Sequence, residues 1–155
     1  MNEPNSLKPI NILLIEDNPG DAELVRIALD RAKLYNQLLV VGDGEKAIAL
    51  LRQQAPYEDI QRPELILLDL NLPRKSGFEV LSEIKSDKEL MRIPVVVLTS
   101  SQAEEDILKS YNLHANCFVS KPLDLNQFLN VVGCIEKFWL SIVILPPDED
   151  KSGND

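Results

Sequence analysis

Histidine is almost missing from this chain: His114 is the only one, which leaves too few ligands for a zinc site and no evident Ser-His-Asp triad. Cysteine is nearly as scarce. Cys117 and Cys134 form no CxxC pair and fall in segments with a strand and a helix pattern, as expected of buried reduced thiols in a cytosolic protein. Positive charge is short as well. Sixteen Lys and Arg stand against twenty-five Asp and Glu, giving a net charge of −9 and a pI near 4.6. That balance disfavours binding to nucleic acid through phosphate contacts and repels an anionic membrane surface. No apolar run approaches the ~18 residues of a membrane span. The first ten residues, polar with a lone Lys8, show no secretory signal. No Gly-x-x-x-x-Gly-Lys loop or GxGxxG turn occurs, so nucleotide binding of those types is disfavoured. The default compartment is the cytoplasm.

What the chain does have is 155 residues, 45% of them hydrophobic, enough for one domain with a sizeable core. Three aliphatic runs stop on oxygen-bearing side chains. Ile12–Ile15 ends in Glu16-Asp17, Leu65–Leu68 ends in Asp69, and Val95–Leu98 ends in Thr99. Short unbroken runs of this kind are expected of strands buried on both faces, the parallel-sheet pattern. Open parallel sheets bind ligands beyond the carboxyl ends of their strands. If the three strands are neighbours, three carboxylates and a hydroxyl meet at one edge.

Strand and helix patterns alternate along the chain. Strands are expected at Asn11–Ile15, Leu38–Val41, Leu65–Asp69, from Pro94 onward, and at Cys117–Val119. The first helix opens with Asn18 as N-cap and Pro19 at its first position, and runs to about Ala32. Asp43 caps a helix over Gly44–Arg52, a looser stretch covers Ala55–Pro63, and Ser76–Ser86 is helical with Phe78, Leu81 and Ile84 on one side. Ser101 to Glu104 matches a capping box opening a fourth helix to about Leu113, and Asp124 caps a long final helix. The expected organisation is an N-terminal tail over 1–9, one domain over 10–145 and a disordered acidic tail over 146–155. Five strand–helix units in series imply a flavodoxin-like, doubly wound (βα)5 three-layer sandwich around a five-stranded parallel sheet.

Glu16, Asp17 and Asp69 are hard oxygen donors of the kind Mg²⁺ takes, and packed like charges are stabilised by a bound cation. Lys121, at the end of the fifth strand, suits a phosphoryl oxygen as a compact charge, and Thr99 can donate to another. An aspartate in such a setting can carry phosphate covalently.

Four motifs in order then resemble the receiver domains of two-component response regulators. They are Ile15-Glu16-Asp17-Asn18; Leu68-Asp69-Leu70-Asn71-Leu72-Pro73 with Gly77; Val97-Leu98-Thr99-Ser100; and Ser120-Lys121-Pro122. The resemblance runs from about Pro9 to Ile144 and implies strand order 2-1-3-4-5. It implies Asp69 as phosphoacceptor and an Mg²⁺ site made by Glu16, Asp17, Asp69 and the backbone carbonyl of Asn71. It further implies that Thr99 and Lys121 bind phosphoryl oxygens, that Lys121 precedes a cis proline, and that Phe118 occupies an aromatic switch position. The Glu-Asp pair departs from the Asp-Asp of many relatives, and the longer glutamate can reach the ion through water.

The run Asn71–Gly77, the loop around Tyr57-Glu58-Asp59 and the ending Phe138-Trp139 to Leu145-Pro146 resemble the small response regulators that partner cyanobacterial phytochromes. That implies a phytochrome-type sensor histidine kinase as donor. With room after Pro122 only for a helix and a tail, a stand-alone signalling protein is expected, acting on a downstream protein through its surface and not as a metabolic enzyme. Two alternatives stay open: an Mg²⁺-dependent phosphohydrolase of haloacid-dehalogenase type, against which Asn71 stands where an acid/base aspartate is usual, and a flavodoxin-like binding module. On a helical wheel, Leu125 to Ile144 shows an apolar arc of roughly 240°, wider than one packing face needs. A homodimer through Phe138 and Ile142 is therefore expected.

Overall fold

Five aliphatic segments pair in parallel into one sheet of order β2-β1-β3-β4-β5. The computed structural model describes residues 9–31, 35–99, 102–110, 117–121, 124, 126–131 and 133. In chain order the elements are β1 (Ile10–Ile15), α1 (Pro19–Arg31), β2 (Asn36–Val41), α2 (Gly44–Leu51) and β3 (Leu65–Asp69). They continue with α3 (Gly77–Ser86), β4 (Val95–Thr99), α4 (Gln102–Ser110) and β5 (Cys117–Ser120). A further helical stretch covers 126–131. This is the expected flavodoxin-like, doubly wound arrangement and strand order.

The unbroken aliphatic runs follow from burial on both sides of the sheet. Leu13, Ile15, Ile66, Leu68, Val95 and Val97 point to a core shared with Ala47, Leu50 and Leu51 of α2 and Val80, Leu81 and Ile84 of α3. Their neighbours Ile12, Leu14, Leu65, Leu67, Val96, Leu98 and Val119 point the other way, onto Ala22, Val25, Ala28 and Leu29 of α1 and onto Phe128. Alternation between faces persists, but with both faces dry no polar residue marks it.

Boundaries move by one or two residues from the sequence expectation. β2 starts at Asn36 because Ile10 and Asn11 of β1 pair with Asn36 and Gln37. An outer strand tolerates polar side chains, so its first residues carry no hydrophobic signal. Asn18 caps α1, its side chain accepting from Asp21 N–H at 2.9 Å. Arg52 lies just past the end of α2 as its cap. Ser76 is the N-cap of α3 and not its first residue, in a reciprocal capping box with Glu79. Asp124 caps the final helical stretch, accepting Gln127 N–H on Oδ1 at 3.1 Å. Ser101, 111–116 with His114, Pro122, Cys134, Phe138, Ile142, residues 1–8 and the tail over 146–155 lie outside the described residues. Among those described, no helix is long and apolar enough to cross a membrane.

Two glycines fix how α2 and α3 approach the strand ends. A Cβ on Gly77 would overlap the Asp69 carbonyl oxygen and the Leu70 Cα, and one on Gly44 would overlap the Lys75 carbonyl. The first turn of α3 therefore rests on the backbone of Asp69 itself. Gly77→Ala should cost about 1–3 kcal/mol, the usual range for forcing atoms into a packed site. Urea unfolding checks this; a variant as stable as wild type would mean that α3 is not held against β3.

Candidate functional site

β1 delivers its acidic pair to the sheet edge with one member in and one out. Glu16 is 2% exposed, whereas Asp17 beside it is exposed. Glu16 N–H continues the ladder to Val41 O at 3.0 Å, and its Oε2 accepts from Asn18 N–H at 3.2 Å. Asp69 is the last residue of β3, paired with Leu98 of β4 and 1% exposed. Its Oδ1 accepts from Asn71 N–H at 3.1 Å, which ties the turn after β3 to the carboxylate. Parallel registers of β1 with β3 and of β3 with β4 bring Glu16, Asp69 and Thr99 to one edge. Thr99 ends β4 opposite Ser120; its side chain lies outside the described set.

Lys121 follows β5 directly and points its ammonium into the acids. Nζ is 3.2 Å from Glu16 Oε1, 3.3 Å from Asp69 Oδ2 and 2.8 Å from Asp21 Oδ2. Glu16, Asp17 and Asp69 each offer an oxygen within 4.8 Å of the others. The sequence placed every one of these side chains except Asp21. The available signal was an acid in the first turn of a helix that begins two residues after the acidic pair. Phe118 sits on β5 opposite Val97, partly buried against the α2–α3 core.

The electrostatics show a site short of positive charge. Burial, the hydrogen bond to Asp69 and the Asp69 charge push the Glu16 carboxyl up from 4.5 to about 7, against the opposing pull of Lys121 and Asn18 N–H. Burial acts to lower the Lys121 ammonium, but Asp21, Asp69 and Glu16 outweigh it and hold the group well above its ordinary value. Three carboxyl groups thus share one ammonium, and the Asp17 carboxylate lies beside them. Three hard oxygen donors, one of them reachable from solvent, fit a divalent cation that keeps part of its water shell. A cavity of about 380 Å³ lined by Asn11, Leu13, Leu39, Leu50 and Ile60 is elsewhere, between β1, β2 and the 59–63 loop.

This geometry belongs to a known class. Residues 12–133 match the model of the response regulator receiver domain, and the chain belongs to that family. It is 49% identical over 138 residues to Response regulator Rcp1 of Synechocystis sp., covering 89% of this chain and 94% of the relative. Among solved structures, the phosphorylated cyanobacterial phytochrome response regulator RcpA superimposes with a TM-score of 0.73 at 49% identity, covering 88% of this chain and 97% of that one. The Mn²⁺-bound form of response regulator Rcp1 gives 0.72 at 49% identity, covering 87% and 97%.

The raised Glu16 value has a definite sign. Its folded value, about 7, lies above the unfolded 4.5, so in metal-free protein its contribution is fully present below pH 4.5 and is lost as pH rises to 7. Glu16→Gln removes this dependence. Relative to wild type, the variant should gain on the order of 2 kcal/mol in stability between pH 5 and pH 8, and less when Mg²⁺ is present. A difference flat across that range, measured by urea unfolding, would show that Glu16 is not strained by charge.

Proposed function

We propose that this receiver domain takes a phosphoryl group onto Asp69 from a phosphohistidine of a sensor kinase, in an Mg²⁺-dependent reaction. The observation that carries the reading is the Asp69 carboxylate, buried at a strand end, with Oδ2 3.3 Å from the Lys121 ammonium and with Glu16 and Asp17 beside it. A carboxylate oxygen attacks phosphorus, the new P–O bond forms as the P–N bond breaks, and the imidazole leaves with the electron pair. Lys121 balances charge on the phosphoryl oxygens and transfers no proton. Glu16, Asp17, Asp69 and the carbonyl of Asn71 would hold the cation, whose chemistry is neutralisation of the transferring group. Thr99 is assigned the hydrogen bond to a phosphoryl oxygen. Phe118 is assigned the movement that carries the change to the surface around β5, from which a downstream protein reads it.

The 49% identity to RcpA, a cyanobacterial phytochrome response regulator, supports a phytochrome-type kinase as donor, and the setting proposed with it is the cytoplasm. The test is intact mass after incubation with acetyl phosphate and Mg²⁺. One phosphoryl group should add, and neither Asp69→Asn nor EDTA-treated protein should gain it. The amide spectrum of the beryllofluoride form should shift at Phe118 as well as at the carboxylates. Equal labelling of Asp69→Asn would remove Asp69 from the mechanism.

The wide apolar arc of residues 125–144 supports pairing of two copies through the final helix, with Phe138 and Ile142 at the contact. Sedimentation equilibrium at micromolar concentration should return a dimer that Phe138→Glu or Ile142→Glu dissociates. A wild-type protein of 17.4 kDa with and without phosphate would exclude it.

A further inference from the structure

The Lys121 ammonium has three N–H donors, and three carboxylates accept from it: Asp21 at 2.8 Å, Glu16 at 3.2 Å and Asp69 at 3.3 Å. A phosphoryl oxygen arriving at Asp69 gains a full hydrogen bond from Lys121 only if one of the three lets go. They are not equivalent. Glu16 and Asp69 are buried in the acidic cluster, and each is anchored by a backbone N–H, from Asn18 and from Asn71. Asp21 stands outside the cluster on the first turn of α1, with a side chain 33% exposed, and it makes the shortest of the three contacts.

We propose that Asp21 is a positioning residue of the phosphoacceptor site: it draws the Lys121 ammonium outward from Glu16 and Asp69, and releases it to the phosphoryl group when that group is in place. The inference rests on the phosphoacceptor reading and specifies the resting state of that site. With Asp21 charged, Glu16 and Asp69 keep more negative charge for a divalent cation. Without that charge, the ammonium settles on Glu16 and Asp69 and the cation must displace it. Asp21 is placed for this by the helix cap, since Asn18 Oδ1 accepts its N–H at 2.9 Å and fixes its position in the first turn.

The test is a double-mutant cycle on Mg²⁺ affinity, read by titration calorimetry on unphosphorylated protein. Asp21→Asn should weaken Mg²⁺ binding about fivefold, the size of a coupling between side chains in contact. In a Lys121→Ala background the same substitution should change affinity far less. Glu23→Gln removes an equal charge from the same helix at a residue paired with Arg26, and should leave affinity close to wild type. Asp21→Glu should restore most of the loss. With acetyl phosphate, Asp21→Asn should need more Mg²⁺ for half-maximal labelling yet reach the wild-type rate once Mg²⁺ saturates.

An equal loss of affinity with and without Lys121 would overturn the proposal, making Asp21 one more negative charge near the cation. A labelling rate that stays low at saturating Mg²⁺ would also overturn it, because the substitution would then be damaging the site itself. Failure of wild-type Asp69 to label strikes at the phosphoacceptor reading instead, and the calorimetric cycle still measures the Asp21–Lys121 coupling.

Discussion

One ammonium shared by three carboxyl groups, with a fourth beside them, is the constraint on which the site depends. Buried Glu16 and Asp69 without a cation nearby would repel each other in a medium that screens poorly, and the group easiest to protonate would give up its charge. Lys121 limits that repulsion but does not remove it: burial first, and then the bond to Asp69 and its charge, keep the Glu16 value raised. The rest of the domain supplies rigidity around this imbalance: parallel strands that stop together, two dry cores, and helices seated close to the strand ends. A fold that tolerates an underneutralised pocket at its edge keeps a standing affinity for something positive and divalent.

That rigidity has a specific route. Asp69 is tied to the following turn through Asn71 N–H, and the first turn of α3 lies on its carbonyl through Gly77. On the other side Gly44 brings α2 against the Lys75 carbonyl, while Lys75 pairs with Glu83 of α3, and Glu83 also meets Arg52 at 3.3 Å. Arg74, at φ 66 in the left-handed region that non-glycine residues seldom adopt, reaches Asp43 at 3.7 Å. The β3–α3 turn is held from three directions, so a change in charge at Asp69 meets a surround that cannot simply relax around it.

Much of this could be read from residue order because fully buried strands leave an unbroken aliphatic record. Leu65–Leu68 and Val95–Leu98 could hardly be anything else at that length, and their terminal Asp69 and Thr99 followed at once. Glu16 and Asp17 were legible for the same reason. The beginning of β2 was not, since Asn36 and Gln37 pair at the sheet margin, where polar side chains cost little. Asp21 was hidden for a different reason: its partner lies a hundred residues away, and only the gathering of the strand ends at one edge of the sheet brings Lys121 within reach of α1. The overlap that bars a side chain at Gly77 is likewise a property of two backbones and leaves no trace in local composition beyond the glycine.

β2 has a consequence of a colloidal kind. It closes one side of the sheet with Asn-Gln-Leu-Leu-Val-Val, six residues without a charge or a proline, and Leu39 is 40% exposed. Such margins template pairing between molecules unless something blunts them. Here the blunting is global, through mutual repulsion of chains carrying −9. That repulsion fades as acidity approaches the pI near 4.6, so acidification removes the protection and leaves β2 as the side from which molecules can pair.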